Sequence, residues 1–581
     1  MRIGYFAHWF RPHWSFNDFI REQGFEIEKI DYSQKNYLEK YDIALIEQNG
    51  FNDYIENDEL YIRDWVSRGG IVLFMHQDYE RWAPYFLPHE LGYTQLIHRY
   101  VRTIGSCDDR HEIYYHYMMP WFEGKGRELL NYPEKITPDE MLGWNLRVNT
   151  FRLVMPPDKS DTTENILSAA QSCFLANPKW EVLGSYMDPA VKDGALVLQG
   201  RHGKGMYFLN QIMVPEELDE NAERCLNFWK KYLKNLMAYF ENFKKGITPE
   251  IPAAGEISAG KRNYKVAVHM HSLDWYGCDS APGTINAMMR YMNYDICSFA
   301  IKDAAPYEGG LDPVKYSDDK VLFLDGQEYH PFNWNDRFEH LSHNGYHMLA
   351  VGVDHDSYTP EFTRSLFSDA EIDAYLKKAL KYINDKNGAS IATHPNANAY
   401  WHDYPYDAVD TEPLKSIAGS NIEEFYLKGR KIAMMVSVDL FGFQRILDNP
   451  APNFIYLEGE KPSRDSVVKA IKKGHTIAAC GFSEMDICCS GALPGDEISG
   501  TEHTIHITAR PDVGNITEIR IYADDKVIYC ENPNVSFIEK DIEISAADAK
   551  HFIRVEISGH NAITVAISTP FYLKGCVIKD D

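Results

Sequence analysis

The sequence predicts a multidomain α/β protein. A doubly wound parallel sheet comes first, a second run of alternating strands and helices follows, and an antiparallel β-sandwich closes the chain. Three observations carry this. Short apolar strands alternate with amphipathic helices over the first part of the chain, the pattern of a parallel sheet. The alternation resumes after a Pro- and Gly-containing stretch without apolar periodicity. From about residue 483 helical periodicity is gone, and turn residues separate short strands. The boundaries read this way are 1–245, a linker over 246–262, then 263–482 and 483–581. A length of 581 residues suits several domains of about 100–200 residues each.

Composition narrows the function classes. Hydrophobic residues are 44% and charged residues 25%, which is ordinary globular protein. Lys plus Arg number 59 against 85 Asp plus Glu, a net charge of −26. So acidic a surface repels phosphate backbones and anionic lipid, so no nucleic-acid partner and no membrane partner are expected. Aromatic residues are 13%, with 37 Tyr, which suits carbohydrate or small-molecule surfaces as well as cores. No run approaches the ~18 apolar residues of a membrane span. The first residues read as a strand and not as a secretory leader. The ten Cys are scattered without metal-binding CxxC spacing, and only Cys488 and Cys489 are close, so reduced thiols in the cytoplasm are expected.

In the first segment, Arg2 to His8 is a strand and Trp14 to Gln23 a helix. Tyr41 to Ile46 is a buried-type strand. Leu60 to Arg68 is an amphipathic helix that Gly69-Gly70 stops as left-handed C-cap residues do. Ile71 to Met75 is the next strand. Ala195 to Leu198 and Gly205 to Leu209 flank Gly200-Arg201-His202-Gly203-Lys204, a hairpin with a glycine turn. Pro215 to Phe243 has apolar residues at helical spacing. This order resembles the class I glutamine-amidotransferase-like fold in its ThuA-like branch, which implies a flavodoxin-like sheet. Where the amidotransferases carry a nucleophilic Cys, this chain has Phe74-Met75-His76-Gln77. The nucleophile is missing, which argues against glutaminase activity. His76 is open to two readings, a site residue or a strand-end histidine satisfied by backbone. The glycine hairpin lacks the order of a phosphate-binding P-loop.

In the middle segment, strands are expected at Lys265–Val268, Ile296–Ile301, Val321–Leu324, His347–Val353 and Ser390–Thr393. Helices are expected at Ala281–Tyr291, at Ala370–Asn387 closed by Gly388, and at Ser463–Lys473 closed by Gly474. In the last segment strands are expected at Thr504–Ala509, Glu518–Tyr522, Lys526–Cys530, His551–Ser558 and Ala562–Ser568.

Chemistry concentrates in the middle segment. Residues two apart on a strand point the same way, so His269 and His271 face one side. Glu328 lies just after an apolar strand, His347 opens the next, His394 ends another before Pro395, and Asp439 ends a further one. In a barrel of parallel strands such ends converge on one mouth. Four His and two carboxylates there form a mixed N/O set suited to Zn, Mn or Fe(II). Each residue alone has a structural reading. Ligand-type residues at the edges of five strands are harder to explain that way.

The segment resembles the PHP (polymerase and histidinol phosphatase) family. The motifs that carry this are His269-Met270-His271-Ser272, Gly326-Gln327-Glu328, Gly345-Tyr346-His347 and His394-Pro395. Ala470-Ile471-Lys472-Lys473-Gly474-His475-Thr476 and the β-domain after it are similar to the carbaryl-hydrolase branch. The resemblance implies a distorted seven-stranded β/α barrel holding up to three metals. His269, His271, Glu328 and Asp439 would hold one ion. Glu328, His347 and His394 would hold a second, with Glu328 bridging. The family's Thr-Asp-His falls at Ile301-Lys302-Asp303, and its late Asp-x-His falls at Asp439-Leu440-Phe441, so ligands of the third ion are missing. Lys302 either places an ammonium where that cation would sit or points elsewhere; Asp303 stands as a shifted ligand.

The implied activity is a metal-dependent hydrolase with two divalent ions activating one water, first of all a phosphoesterase on a small-molecule or carbohydrate-phosphate substrate. Lys302 would bind a substrate oxygen. Carbamate, amide or ester hydrolysis stays open, and so does a non-catalytic carbohydrate- or small-molecule-binding protein. His330 and His402 lie in loops that suit a general acid, and each also reads as a surface residue.

Overall fold

The computed structural model describes residues 1–6, 15–77, 86–104, 121–141, 163–176, 178–185, 194–212, 214, 222–251, 262–271, 282–300, 313–329, 347–354, 368–394, 401–411, 414–437, 439, 452–457, 461–560 and 564–575. They build a multidomain α/β protein with several mixed sheets and, among the described residues, no closed barrel.

Strands β1 (Arg2–Phe6), β2 (Glu26–Lys29), β3 (Ile43–Ile46) and β4 (Ile71–Phe74) run parallel in the order β2-β1-β3-β4. β3 and β4 are buried at every position, as strands covered on both faces are. The period of two decides which core each side chain joins. Ile43, Leu45, Ile71 and Leu73 pack with the helices Phe16–Glu22 and Ala222–Lys245. Ala44, Ile46, Val72 and Phe74 pack with Ile62 and Trp65 of the helix Glu59–Ser67. The long helix contributes Phe228, Tyr232, Leu236 and Phe240, one per turn. Its expected first turns, 215–221, lie outside the described residues. After Glu59–Ser67 only Gly69 is left-handed, at φ +122°. Gly70 is needed for closeness, because a Cβ there would sit 2.5 Å from the Trp65 ring.

The expectation of a parallel sheet needs correction. β5 (Leu91–Ile104), β6 (Trp121–Phe122), β7 (Thr163–Ala176), β8 (Glu181–Ser185), β9 (Gly194–His202) and β10 (Gly205–Asn210) follow. β10 pairs parallel with β4, but β9, β7 and β5 continue antiparallel. The β9–β10 hairpin turns at Gly203, φ +60°, where the glycines predict it. The β5–β7 pair joins distant segments and has no local signal.

The middle segment contains β11 (Asn263–Met270), β12 (Ile296–Phe299), β13 (Leu322–Leu324), β14 (Gly326–Tyr329), β15 (Met348–Val351), β16 (Ala389–Ala392), β17 (Ala408–Asp410), β18 (Ala433–Met435), β19 (Asn453–Tyr456) and β20 (Thr476–Cys480). The expected barrel is not closed, because these strands belong to two sheets. β13-β12-β11-β19-β20 form one and β14 to β18 the other. The ladders stop at Asp325, where the chain passes from β13 to β14, and between β18 and β19. At the second break side chains stand in for the ladder. Asn453 accepts the Val436 N–H and donates to the Val436 carbonyl, both at 2.8 Å. Thr476 Oγ1 donates to the Met434 carbonyl at 2.9 Å. The two sheets share one apolar interior through Val266, Ile296, Leu324, Leu349, Ile391 and Met435. The helix Asp369–Asp385 ends on Asn387 in the left-handed region, φ +53°, and not on Gly388. Gly388 is small because a Cβ would lie 2.2 Å from Val353 Cγ2.

β21 (Phe482–Cys489), β22 (Glu497–Ile498), β23 (Glu502–Pro511), β24 (Ile516–Ala523), β25 (Lys526–Glu531), β26 (Ile538–Ser545), β27 (Phe552–Gly559), β28 (Val565–Ser568) and β29 (Phe571–Leu573) complete the chain. β21, β23 and β26 pair antiparallel. β20 pairs with β28, and β27, β24 and β25 follow, so the sheet of the middle segment runs unbroken into the last one. Ile487, Ile505 and Ile542 from the three-stranded sheet meet Ile519, Val555 and Ile557 from the other in one core. Arg554, fully buried, ties the two segments. Its Nη2 donates to Glu423 Oε1 at 2.6 Å, its Nη1 donates to Glu556, and its guanidinium lies 4.1 Å from the Tyr522 ring centroid. Cys225, Cys297, Cys480, Cys488, Cys489 and Cys530 carry free thiols. Among the described residues no helix is long and apolar enough to cross a membrane.

Candidate metal centre

The six candidate ligands come together from the ends of five stretches of chain. His269 and His271 end β11. The strand bulges between Ala267 and Met270, and His269 sits in the left-handed region at φ +61°. Met270 between them packs into the outer core. The two imidazoles still face the same side, with ring centroids 4.9 Å apart. Glu328 lies on β14. That strand can pass this close to its neighbours because Gly326 has no Cβ; one would meet the Ala350 carbonyl oxygen at 2.3 Å and that of Phe299 at 2.5 Å.

His347 reaches the site by a route that parallel strands do not offer. It precedes β15, which runs antiparallel to β14 and β16. The start of β15 therefore lies beside the ends of both neighbours, next to Glu328 and His394. His394 follows β16 at φ +32°, and Asp439 follows β18 at φ +43°. Three of the six residues thus hold left-handed backbone. For a residue other than Gly this costs about 1–3 kcal/mol, and such strain gathers at functional sites.

Glu328 is the hub. Its Oε2 lies 3.3 Å from Nε2 of both His269 and His271. Its Oε1 lies 2.9 Å from His347 Nδ1 and 3.9 Å from His394 Nε2. Asp439 Oδ1 stands 3.3 Å from each of the same His269 and His271 nitrogens. Two groups of ligand atoms fall within 4.8 Å of one another: His269 with Glu328 and His394, and His269 with His271 and Asp439. The His269 and His394 rings stack, 5.7 Å apart and 17° from parallel.

The charges are far from balanced by solvent. Burial pushes the His269 imidazole down, but the Asp439 and Glu328 carboxylates outweigh it and hold the ring up at about 9. Burial and the neighbouring His347 and His269 rings push His394 down to about 4. Burial raises Asp439, yet the adjacent His269 and His271 imidazoles hold it well below the usual carboxylate range.

A cation fits this donor set. Neither ring nitrogen of fully buried His269 is aligned for a hydrogen bond, and the same is true of Asp439 Oδ1. The nitrogen and oxygen atoms surround common points and do not aim at one another, as ligands of an ion do. Imidazole plus carboxylate is the chemistry of Zn, Mn and Fe(II) sites.

Lys302, Asp303, His330 and Ser272 are outside the described residues. His402 is half-buried and its Nε2 lies 3.5 Å from Asp403 Oδ1. His76 is buried at the end of β4 in the N-terminal sheet, where its carbonyl accepts the Asn49 N–H at 2.8 Å. Sequence reading missed Asp410, which ends β17 fully buried and accepts the His394 N–H at 2.7 Å. Its signal was present: Ala408-Val409-Asp410 is an apolar strand ending in a carboxylate, the same sign that marked Asp439.

No family model matches the sequence, and no curated protein matches it. Solved structures that resemble it are distant. A two-domain protein containing a predicted PHP-like metal-dependent phosphoesterase from Bacteroides vulgatus is 12% identical over 56% of this chain and 99% of that one, with a TM-score of 0.31. A cytoplasmic protein from Salmonella typhimurium is 11% identical over 41% and 98%, with a TM-score of 0.23. The exo-β-1,4-mannosidase Op5Man5 from an Opitutaceae bacterium is 11% identical over 43% and 36%, with a TM-score of 0.21.

Proposed function

We propose that this protein is a metal-dependent hydrolase of the PHP type, acting first of all on phosphate esters. The observation that carries the reading is the meeting of four imidazoles and two carboxylates, with Glu328 at the centre. On this reading His269, His271, Asp439 and Glu328 would hold one cation, and His347, His394 and Glu328 would hold a second. Bound divalent cations lower the pKa of water and offset the charge that develops on a phosphoryl or carbonyl oxygen. We read the two middle sheets as the PHP barrel opened at two seams, beside Asp325 and Asn453.

The chain's own residues divide the remaining work. His269, His271 and Glu328 are sealed from solvent and exclude bulk water from the floor of the site. His394 and Asp439 have side chains 19% and 15% exposed, so they mark the side from which substrate enters. By the resemblance in sequence, Lys302, at the position of the family's Thr-Asp-His motif, would bind a substrate oxygen, and Asp303 stands as a shifted ligand. The run Ala470 to Thr476 favours a second reading, hydrolysis of a carbamate, amide or ester at the same centre.

The test is metal analysis of protein purified without chelator, with an aryl phosphate, aryl ester and aryl carbamate panel. Bound divalent metal with phosphatase turnover lost in His269→Ala is expected. Metal-free protein that stays inert after Zn, Mn and Fe(II) are supplied rejects the enzyme reading.

A further inference from the structure

Asp410 closes β17 with its side chain wholly withdrawn from solvent. The ladder between β16 and β17 stops at the pair Ala392 and Val409. Beyond that pair the acceptor for the His394 N–H is no main-chain carbonyl. It is Asp410 Oδ1, at 2.7 Å. A carboxylate makes the stronger, charge-assisted kind of hydrogen bond. The residue it grips is the one whose left-handed backbone, φ +32°, turns the imidazole back toward Glu328 Oε1. Asp410 also adds its charge to those of Asp439 and Glu328 at His269. Side chains that hold metal ligands in place in this way govern metal affinity from outside the coordination sphere.

We propose that Asp410 is a positioning residue of the metal centre: it fixes the His394 main chain in the turn that aims the imidazole at Glu328, and it places a third negative charge near the His269 imidazole. This rests on the reading of the site as a metal centre.

Two measurements on the full-length chain test it. One is a comparison of crystal structures of the metal-free wild type with Asp410→Ala and Asp410→Asn. The other is cobalt(II) titration of all three, followed by visible absorption. In Asp410→Ala, His394 is expected to leave the left-handed region and its ring to turn from Glu328. Cobalt affinity is expected to fall on the order of 10–100-fold, with a changed absorption band. Asp410→Asn keeps an acceptor for the His394 N–H, so it is expected to retain the turn and bind cobalt several-fold more weakly. An unmoved His394 in Asp410→Ala overturns the proposal, and so does wild-type cobalt affinity there. Should Asp410→Ala fail to fold, wild-type affinity in Asp410→Asn overturns the part assigned to charge. If the wild type itself takes up no cobalt, the metal-centre reading fails, while the crystal comparison still decides whether Asp410 holds His394.

Discussion

Glu328 turns one carboxylate oxygen to His271 at 3.3 Å and the other to His347 at 2.9 Å. One side chain therefore faces both halves of the centre, and its removal should weaken both. Glu328→Gln removes the shared negative charge from both half-sites while the volume is kept. Affinity for Zn or Mn is expected to fall on the order of 100-fold or more, and metal analysis should find both equivalents depleted. Retention of full metal content in this variant would show that Glu328 does not bridge.

Metal uptake should release a proton. The His269 ring, held at about 9, is protonated at pH 7 in the metal-free protein, and a cation needs it neutral. Calorimetric titrations in buffers of differing ionisation enthalpy are expected to show about one proton released from this ring at pH 7. Apparent affinity should rise on the order of 100-fold from pH 7 to pH 9 and level off above. The same ring makes the metal-free fold pH-dependent. Its contribution is fully present below 6.5, the unfolded value, and is lost as pH climbs through about 9. His394, lowered to about 4, acts oppositely: its contribution is present above 6.5 and is lost as pH falls toward 4. Denaturant melts of metal-free protein would reject this if stability stayed flat from pH 6 to 9.

Asn453 spans the seam between β18 and β19, and Asp439 lies a few residues beyond the Val436 that it holds. Asn453→Ala leaves both a buried N–H and a buried carbonyl without that partner. The expected loss is about 2–6 kcal/mol in urea unfolding, at roughly 1–3 kcal/mol for each group. Metal affinity should fall with it. A variant equal to wild type in both measurements would show that the seam is held elsewhere.

Arg554 answers two buried carboxylates at once, Glu423 and Glu556. Arg554→Met leaves them facing each other without a cation, which costs about 3–5 kcal/mol. Adding Glu423→Gln and Glu556→Gln to that variant should recover much of the loss. Thermal unfolding is expected to show the middle and last segments melting together, since β20 and β28 share one sheet. Two separated transitions would contradict that coupling.

Much of the site was legible because its signals are local. An imidazole pair on one strand, a carboxylate after an apolar run and a histidine before a proline can each be read from a few neighbouring residues. The same holds for the strands Ile43–Ile46 and Ile71–Phe74 and for the helix closed by Gly474 at φ +74°. Asp410 was overlooked although it carried such a sign, because nothing nearby in the chain shows that its partner is the His394 amide.

Tertiary structure alone decided the rest. It set β15 antiparallel, which brings His347 to the site from the start of a strand. It also forced His269, His394 and Asp439 into left-handed backbone, and it divided the strands of the middle segment between two sheets. The physical reason is the range of the forces involved. Apolar periodicity and capping act within a few residues and leave their mark in the sequence. Strand order, strand direction and backbone strain are settled by pairings between segments far apart in the chain, whose energies appear only once those segments meet.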